Sequence, residues 1–447
     1  MDDLSPLVKE SLEQSIPGFV PRREIIRALP EPKRFNLVEI ITGMRRSGKT
    51  FYLFQKMSQL VEAGFDRECM LYFDFSDDRL VPASPSIISD VVEEYWRQVP
   101  RAREEGCYLF LDEVQEAQNW QGACQRLAEN EKVTLVITGS SSKLSSEEIA
   151  TKFRGRSHTH EMLPLSFREF CLFQGVEVPG KGGSSFSPKM RTTLESLFDR
   201  YLVEGGFPGV QGRLAEDRIE ILQSYVRDVV ARDVAERLGR EDIRLANRLA
   251  LYGLRNTACE FSVNKLVESF RGEGFKVYWE KADRIVDLLE QAFLFAKVEE
   301  HAFALKSRTT AAPKVYAIDP GISYAVSRAN QQDVGKRFET AVYLELRRRM
   351  AGRRTEAITS FTVPEPQGRK VDFLLGDALA EEPYALVQVC VFVAAGKTRA
   401  REVGSLEAAM TATGIEEGTI ITLREEETVE SDQGTVQVVP AWKWFLG

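Results

Sequence analysis

Gly43-Met44-Arg45-Arg46-Ser47-Gly48-Lys49-Thr50 has the residue types and spacing of a phosphate cradle, G-x-x-x-x-G-K-T. Gly43 and Gly48 allow the backbone to curl so that successive N–H groups point inward at phosphate oxygens. Lys49 is placed to reach the β- and γ-phosphates of a nucleoside triphosphate, and the Thr50 hydroxyl to hold Mg²⁺. Ser47 completes the loop, and Arg45 and Arg46 either add positive potential or face solvent. An apolar run, Leu37 to Thr42, leads into the loop. A helix-like stretch, Phe51 to Ala63, leads out of it, so the positive end of a helix dipole falls near Gly48. ATP with Mg²⁺ is the expected occupant.

A second constellation lies about 60 residues further on, where the apolar strand Tyr108-Leu109-Phe110-Leu111 ends in Asp112-Glu113. Strand-end carboxylates of this kind divide two tasks. Asp112 is expected to partner Thr50 on Mg²⁺, and Glu113 to act as general base or water-orienting group. A further strand ends Val136-Ile137-Thr138-Gly139-Ser140-Ser141-Ser142. Ser140 or Ser141 there can sense a γ-phosphate, or the run can be a helix N-cap. Arg154-Gly155-Arg156 follows. Arg156 is the preferred candidate for an arginine that reaches a neighbouring subunit's γ-phosphate in trans; the plain alternative is a solvated basic pair.

The elements that must position these residues alternate in the manner of a parallel α/β sheet: apolar runs at Leu37–Thr42, Met70–Phe75, Tyr108–Leu111, Thr134–Thr138 and Thr159–Leu163, separated by helical stretches. Ligands collect at the carboxyl ends of such strands. The 447 residues are enough for several domains. With 43% hydrophobic and 28% charged residues, the composition is that of a globular protein, and no apolar run approaches the ~18 residues of a membrane span. The acidic start, Met1-Asp2-Asp3-Leu4, argues against a secretory signal, so a cytoplasmic protein with no membrane partner is expected. Six scattered cysteines without a C-x-x-C pair read as small buried hydrophobes. His158 and His160 would share one face of a strand, but with no further ligand near them in sequence a metal site is not expected. The net charge of −8 weakens a nucleic-acid reading without excluding a local basic surface.

Several signatures occur together. They are Gly-Met-Arg-Arg-Ser-Gly-Lys-Thr, Leu-Asp-Glu-Val-Gln followed by Trp120, Thr-Gly-Ser-Ser-Ser, and Gly155-Arg156 with Leu163-Pro164-Leu165-Ser166-Phe167-Arg168-Glu169-Phe170. Gly205-Gly206-Phe207-Pro208 accompanies them. In this the chain resembles, over nearly its whole length, the archaeal and bacterial AAA-type (AAA+-like) P-loop ATPases that carry a C-terminal domain of unknown function. The resemblance implies ATP binding and hydrolysis with Mg²⁺, a sensor after the fourth strand and an arginine near Gly-Arg.

Beyond the core, Ser262 reads as the N-cap of a helix, Val277 to Phe295 as a second helix and Phe295-Ala296-Lys297-Val298-Glu299 as a short strand, a winged-helix arrangement or else a helical lid without DNA contact. The last third resembles the restriction-endonuclease-like fold: a helix with Glu339, a strand with Asp372, a strand with Gln388-Val389-Cys390, then helix and strand. Active members implied by that resemblance hold a metal on two carboxylates and have a lysine on the third strand. Here Glu339 and Asp372 fit, Gln388 can offer a neutral oxygen, and Cys390 stands where the lysine would be. A vestigial nuclease site, a live but unusual nuclease, and ordinary structural carboxylates all remain open.

The expected fold class is thus α/β, a P-loop NTPase (AAA+-like) parallel-sheet core with a helical lid, a winged-helix domain and a C-terminal restriction-endonuclease-like α/β domain. The expected boundaries are 1–35 (helical lead-in), 36–165 (ATPase core), 166–250 (lid or linker), 251–305 (winged-helix-like) and 306–447 (nuclease-like). The expected function is a Mg²⁺-dependent ATPase, assembled as a homo-oligomer such as a hexameric ring, that binds or remodels DNA. The rivals are a regulatory nucleotide switch with protein partners and an ATP-driven defence nuclease.

Overall fold

The computed structural model describes residues 4–80, 84–139, 153, 155–179, 186–239, 242–301, 311–327, 331–352, 356–364, 368–377, 382–393 and 396–447. They fall into two compact units, Met1–Met162 and Leu163–Gly447.

The first unit is built on five strands: β1 (Val38–Thr42), β2 (Met70–Asp74), β3 (Cys107–Asp112), β4 (Val133–Thr138) and β5 (Ser157–Glu161). All pairs are parallel, in the order β2-β3-β4-β1-β5. Every residue of β1, β3 and β4 is buried, as expected for parallel strands covered on both faces. One face packs against the helices Ser5–Glu13, Ile87–Gln98 and Trp120–Asn130 through Val8, Ile88, Val92, Leu127 and their neighbours. The other packs against the helix Lys49–Glu62 and residues Ile16 to Leu29 through Tyr52, Leu53, Phe54 and Ile26. The lead-in is helical only over Ser5–Glu13. Pro17, Pro21, Pro30 and Pro32 remove amide donors and fix φ, so the chain from 14 to 37 crosses the sheet face without a regular helix.

In the second unit, four helices come first: Phe167–Phe173, Pro188–Glu204, Ala215–Val229 and Ile243–Arg255. Phe167–Phe173 opens with a capping box in which the Ser166 hydroxyl accepts from Glu169 N–H and the Glu169 carboxylate from Ser166 N–H. A small antiparallel sheet follows, with β6 (Cys259–Glu260), β7 (Phe295–Val298) and β8 (Lys314–Ala317) in the order β6-β8-β7. Between β6 and β7 lie the helices Val263–Gly272, N-capped by Ser262, and Trp279–Gln291. The middle strand of this sheet thus comes from beyond residue 305, outside the bounds expected for the winged-helix-like part. The last element group is a six-stranded sheet of β9 (Glu356–Thr362), β10 (Lys370–Asp377), β11 (Glu382–Val389), β12 (Glu417–Thr422), β13 (Glu427–Ser431) and β14 (Gly434–Pro440), in the order β13-β14-β12-β11-β10-β9. β9, β10 and β11 form an antiparallel meander, while β11, β12 and β14 are parallel. The helix Val334–Arg349 precedes it and Gly396–Thr413 connects β11 to β12.

The Gly205-Gly206-Phe207-Pro208 signature has a packing cause. Gly205 adopts φ +74°, and a Cβ there would meet the Asp319 carboxylate at 2.1 Å. A Cβ on Gly206 would meet the Leu165 carbonyl oxygen at 2.5 Å and its nitrogen at 2.9 Å. Two bonds hold this approach: Leu165 N–H donates to Gly206 O at 2.7 Å, and Gly206 N–H donates to the buried Asp319 at 2.6 Å. Gly206→Ala is therefore expected to cost about 2 kcal/mol or more, because only backbone can yield. Urea unfolding of the full chain checks this; a cost within about 0.5 kcal/mol would contradict the packing account.

Candidate functional site

The turn after β1 is shaped by backbone that glycine tolerates best. Gly43 lies at φ +155° and Gly48 at φ +103°, and a Cβ on Gly43 would meet the Met162 carbonyl oxygen at 2.3 Å. Arg46 also takes a positive φ, +68°, and is exposed, whereas Arg45 is half-buried and lies 3.9 Å from Glu116. The helix Lys49–Glu62 starts immediately after Gly48, so its free N–H groups face the loop. The Lys49 ammonium is buried and donates to the carbonyls of Gly43 and Met44 at 3.0 and 3.2 Å, which draws it across the cradle. Ser47 Oγ is fully buried yet makes no hydrogen bond among the described residues.

Parallel pairing carries Asp112 to the same edge of the sheet. Thr50 Oγ1 donates to Asp112 Oδ2 at 2.7 Å, and Tyr72 OH to the same oxygen at 3.2 Å. The Thr138 hydroxyl, at the end of β4, donates to Asp112 Oδ1. Asp112 is 1% exposed, and its hydrogen-bond partners among the described residues are three hydroxyls and the Glu113 amide, all neutral. Burial raises its pKa above the ordinary carboxylate value, against the lowering effect of the Thr138 and Thr50 hydroxyls. A buried carboxylate with no cationic side-chain partner among the described residues, beside the Thr50 hydroxyl and a serine that makes no hydrogen bond among them, is a donor set that fits Mg²⁺ and a polyphosphate.

Glu113 sits just beyond, in the left-handed region at φ 50°, ψ 42°. That conformation costs a non-glycine residue of order 1 kcal/mol and turns the side chain out of the strand's alternation. Its amide donates to Thr138 Oγ1 at 3.2 Å, and its carboxylate accepts from Gln115 Nε2 at 2.5 Å. Lys49, Thr50, Asp112 and Glu113 are thus brought to one sheet edge. Ser140 and the neighbouring Ser141 lie outside the described residues. Arg156 is elsewhere: it precedes β5 at the amino edge, about 16 Å along the strands from Thr42 at ~3.3 Å per residue, and pairs with Glu129.

Sequence reasoning missed four contributors. Thr138 and Tyr72 bracket Asp112 through strand order, and Gln115 follows Glu113 by one short turn. Arg22, from the lead-in, donates to Ser47 O at 2.7 Å and is itself buried. The last is held because its backbone pairs with the Gln55 side-chain amide at 2.7 and 3.0 Å. Thr138 was legible as the polar end of an apolar strand, while Arg22 carries no local signal.

In the second unit, Glu339, Asp372 and Gln388 also converge, around a residue the sequence did not single out. Lys314 Nζ, from β8, lies 2.9 Å from both Glu339 Oε1 and Asp372 Oδ1. Tyr316 OH donates to Glu339 Oε1 at 2.7 Å. Asp372 Oδ2 accepts from Val389 N–H at 3.0 Å, and Gln388 bridges Asp372 N–H and Glu402 at 3.0 and 2.7 Å. Burial, and then the charge of Asp372, holds Glu339 above the ordinary carboxylate range despite the opposing Lys314 ammonium. Cys390 donates to the Phe392 carbonyl and stays apart from this cluster's bonds.

Comparison with known proteins agrees with the first unit's geometry. A family described as "AAA domain" matches residues 36–171, and a "Domain of unknown function (DUF8612)" matches 195–333. The chain is 30% identical over 450 residues to the uncharacterized protein MJ1544 of Methanocaldococcus jannaschii, covering 98% of this chain and 94% of the relative. It is 26% identical over 334 residues to an uncharacterized protein of Haemophilus influenzae, covering 74% and 80%. Among solved structures, the Walker-type ATPase PABY2304 of Pyrococcus abyssi aligns over 73% of this chain and 95% of its own, at 12% identity and TM-score 0.38. The Aeropyrum pernix Orc1 protein in complex with DNA aligns over 66% and 87%, at 14% identity and TM-score 0.28. Neither structural likeness is close enough to argue from. The chain belongs to the family of the M. jannaschii protein, and its residues 36–171 form an AAA-type P-loop ATPase domain.

Proposed function

We propose that the chain is a Mg²⁺-dependent ATP hydrolase that couples turnover to the binding or remodelling of DNA. The convergence of Lys49, Thr50, Asp112 and Glu113 at one sheet edge, with Thr50 Oγ1 2.7 Å from Asp112, carries the reading. The loop amides from Gly43 to Gly48 and the Lys49 ammonium would bind the phosphates of ATP. Thr50 and Asp112 would hold Mg²⁺, which when bound neutralises charge between β- and γ-oxygens. Glu113, steadied by Gln115, would orient and deprotonate the attacking water. Arg156, 53% exposed along its side chain, would serve a neighbouring copy's nucleotide, as in a homo-oligomeric ring.

The element order helix, short strand, helix, helix, strand, strand, with β8 between β6 and β7, supports a winged-helix reading of 243–317 and through it a DNA partner. Charge is less favourable. Trp279–Gln291, the third helix, carries Glu280, Asp283, Asp287 and Glu290 against Lys281 and Arg284, while Arg271 is turned onto the Val277 carbonyl. Tyr278 and Trp279 are 61% and 43% exposed at its start. Two exposed aromatics on an acidic helix favour the second reading, a nucleotide switch that docks a protein.

For the C-terminal part, the helix bearing Glu339, the antiparallel β9-β10-β11 meander and the parallel β12 support a restriction-endonuclease-like reading. Lys314 supports an inactive one, because its ammonium holds the space between the two carboxylates where a divalent ion would bind.

Lys49→Ala is expected to abolish ATP binding. Glu113→Gln should keep it while lowering turnover by about 100-fold or more. Phosphate release and nucleotide titration read both, and hydrolysis surviving Glu113→Gln would remove Glu113 from its role. Turnover measured with single-stranded, duplex and four-way-junction DNA at low salt tests the coupling; no stimulation and no binding by any of them would leave the protein-docking switch. Lys314→Ala should destabilise the chain by about 3 kcal/mol by leaving two largely buried carboxylates without their cation. Millimolar Mg²⁺ or Ca²⁺ should then raise the variant's Tm and leave the wild type's unchanged. Equal responses would contradict the ammonium-for-metal reading.

A further inference from the structure

We infer that Glu39, His158 and His160 form a site for a borderline divalent transition metal, Zn²⁺ being the natural probe. Two of the three histidines in the chain occupy alternate positions on β5 and so project from the same face. Parallel pairing sets Glu39 of β1 opposite His158. His158 Nδ1 lies 3.4 Å and His160 Nε2 2.5 Å from the same oxygen, Glu39 Oε2, and the two imidazole rings stand 4.1 Å apart. The three ligand atoms fall within 4.8 Å of one another, the one such cluster among the described residues.

Tetrahedral Zn²⁺ with bonds of about 2.0–2.1 Å needs ligand atoms about 3.3 Å apart, which the His158–Glu39 pair already satisfies. The His160 contact must open by about 0.8 Å, within the reach of a small ring rotation. The chemistry of the environment points the same way. Glu39 is 6% exposed near the amino end of a core strand, and among the described residues the two imidazoles are its only ionisable partners. A buried carboxylate whose sole partners are two ordinarily neutral imidazoles lacks a compensating charge that a dication supplies. His158 is half exposed on an edge strand, so a fourth position opens to water, as in three-ligand zinc sites. The cluster is separate from the phosphate loop, which lies beyond the other end of β1.

Titration of the intact, tag-free protein with Zn²⁺ against a chromophoric chelator tests the site. One Zn²⁺ per chain is expected, with a Tm rise on binding. Co²⁺ substitution should give d–d bands without a thiolate charge-transfer band, which separates this site from the six cysteines. His158→Ala, at a half-exposed position that leaves the fold intact, and Glu39→Gln should each weaken binding by more than about tenfold. No stoichiometric binding, undiminished binding by His158→Ala, or a thiolate band would overturn the assignment.

Discussion

One buried carboxylate organises the first unit. Asp112 ends a strand whose every residue is buried, so its charge sits where water cannot reach it, and among the described residues no lysine or arginine bonds to it. Three hydroxyls from three different elements, Thr50, Tyr72 and Thr138, converge on it instead. Hydroxyls soften the cost of ionisation without cancelling it. The arrangement has a natural complement in a dication that approaches from the loop side, where Thr50 and the first helical turn already face.

Sheet order explains how such distant residues meet. β4 lies between β1 and β3, so the loop strand and the Asp112 strand are two places apart and Thr138 ends up between them. The helix that begins at Lys49 bridges this gap by laying Thr50 toward Asp112. Glu113 then leaves the strand in a left-handed turn, which Gln115 and the shared Thr138 hydroxyl hold in place. The strain is local, and it moves a second carboxylate away from the first, so that the two can perform different tasks.

Much of this was legible because it follows local rules. The first four core strands, the loop, Asp112 and Glu113 announce themselves as apolar runs with polar ends, and Ser262 as a cap, whereas β5 (Ser157–Glu161) is polar throughout and begins two residues before the expected Thr159–Leu163. What was hidden depends on contacts far apart in sequence. Arg22 reaches the loop only because proline-broken chain crosses the helix Lys49–Glu62. Lys314 looks like any surface lysine until β8 pairs between β6 and β7 and sets it against Glu339 and Asp372. Likewise Glu39 reads as an oddity within an apolar strand, and only the β1–β5 register shows the histidines beside it. The strand Glu427–Ser431 and the terminal helix Ala441–Leu446 were also missed, the first because its exposed edge alternates weakly and the second because it is short.

The central claim is that Asp112 is held for a dication that comes with the nucleotide. Its most direct test is ATP affinity measured with and without Mg²⁺, in the wild type and in Asp112→Asn. The account predicts that Mg²⁺ tightens ATP binding to the wild type and that this gain disappears in Asp112→Asn, which still binds metal-free ATP through Lys49 and the loop. An equal Mg²⁺ gain in both proteins would contradict it.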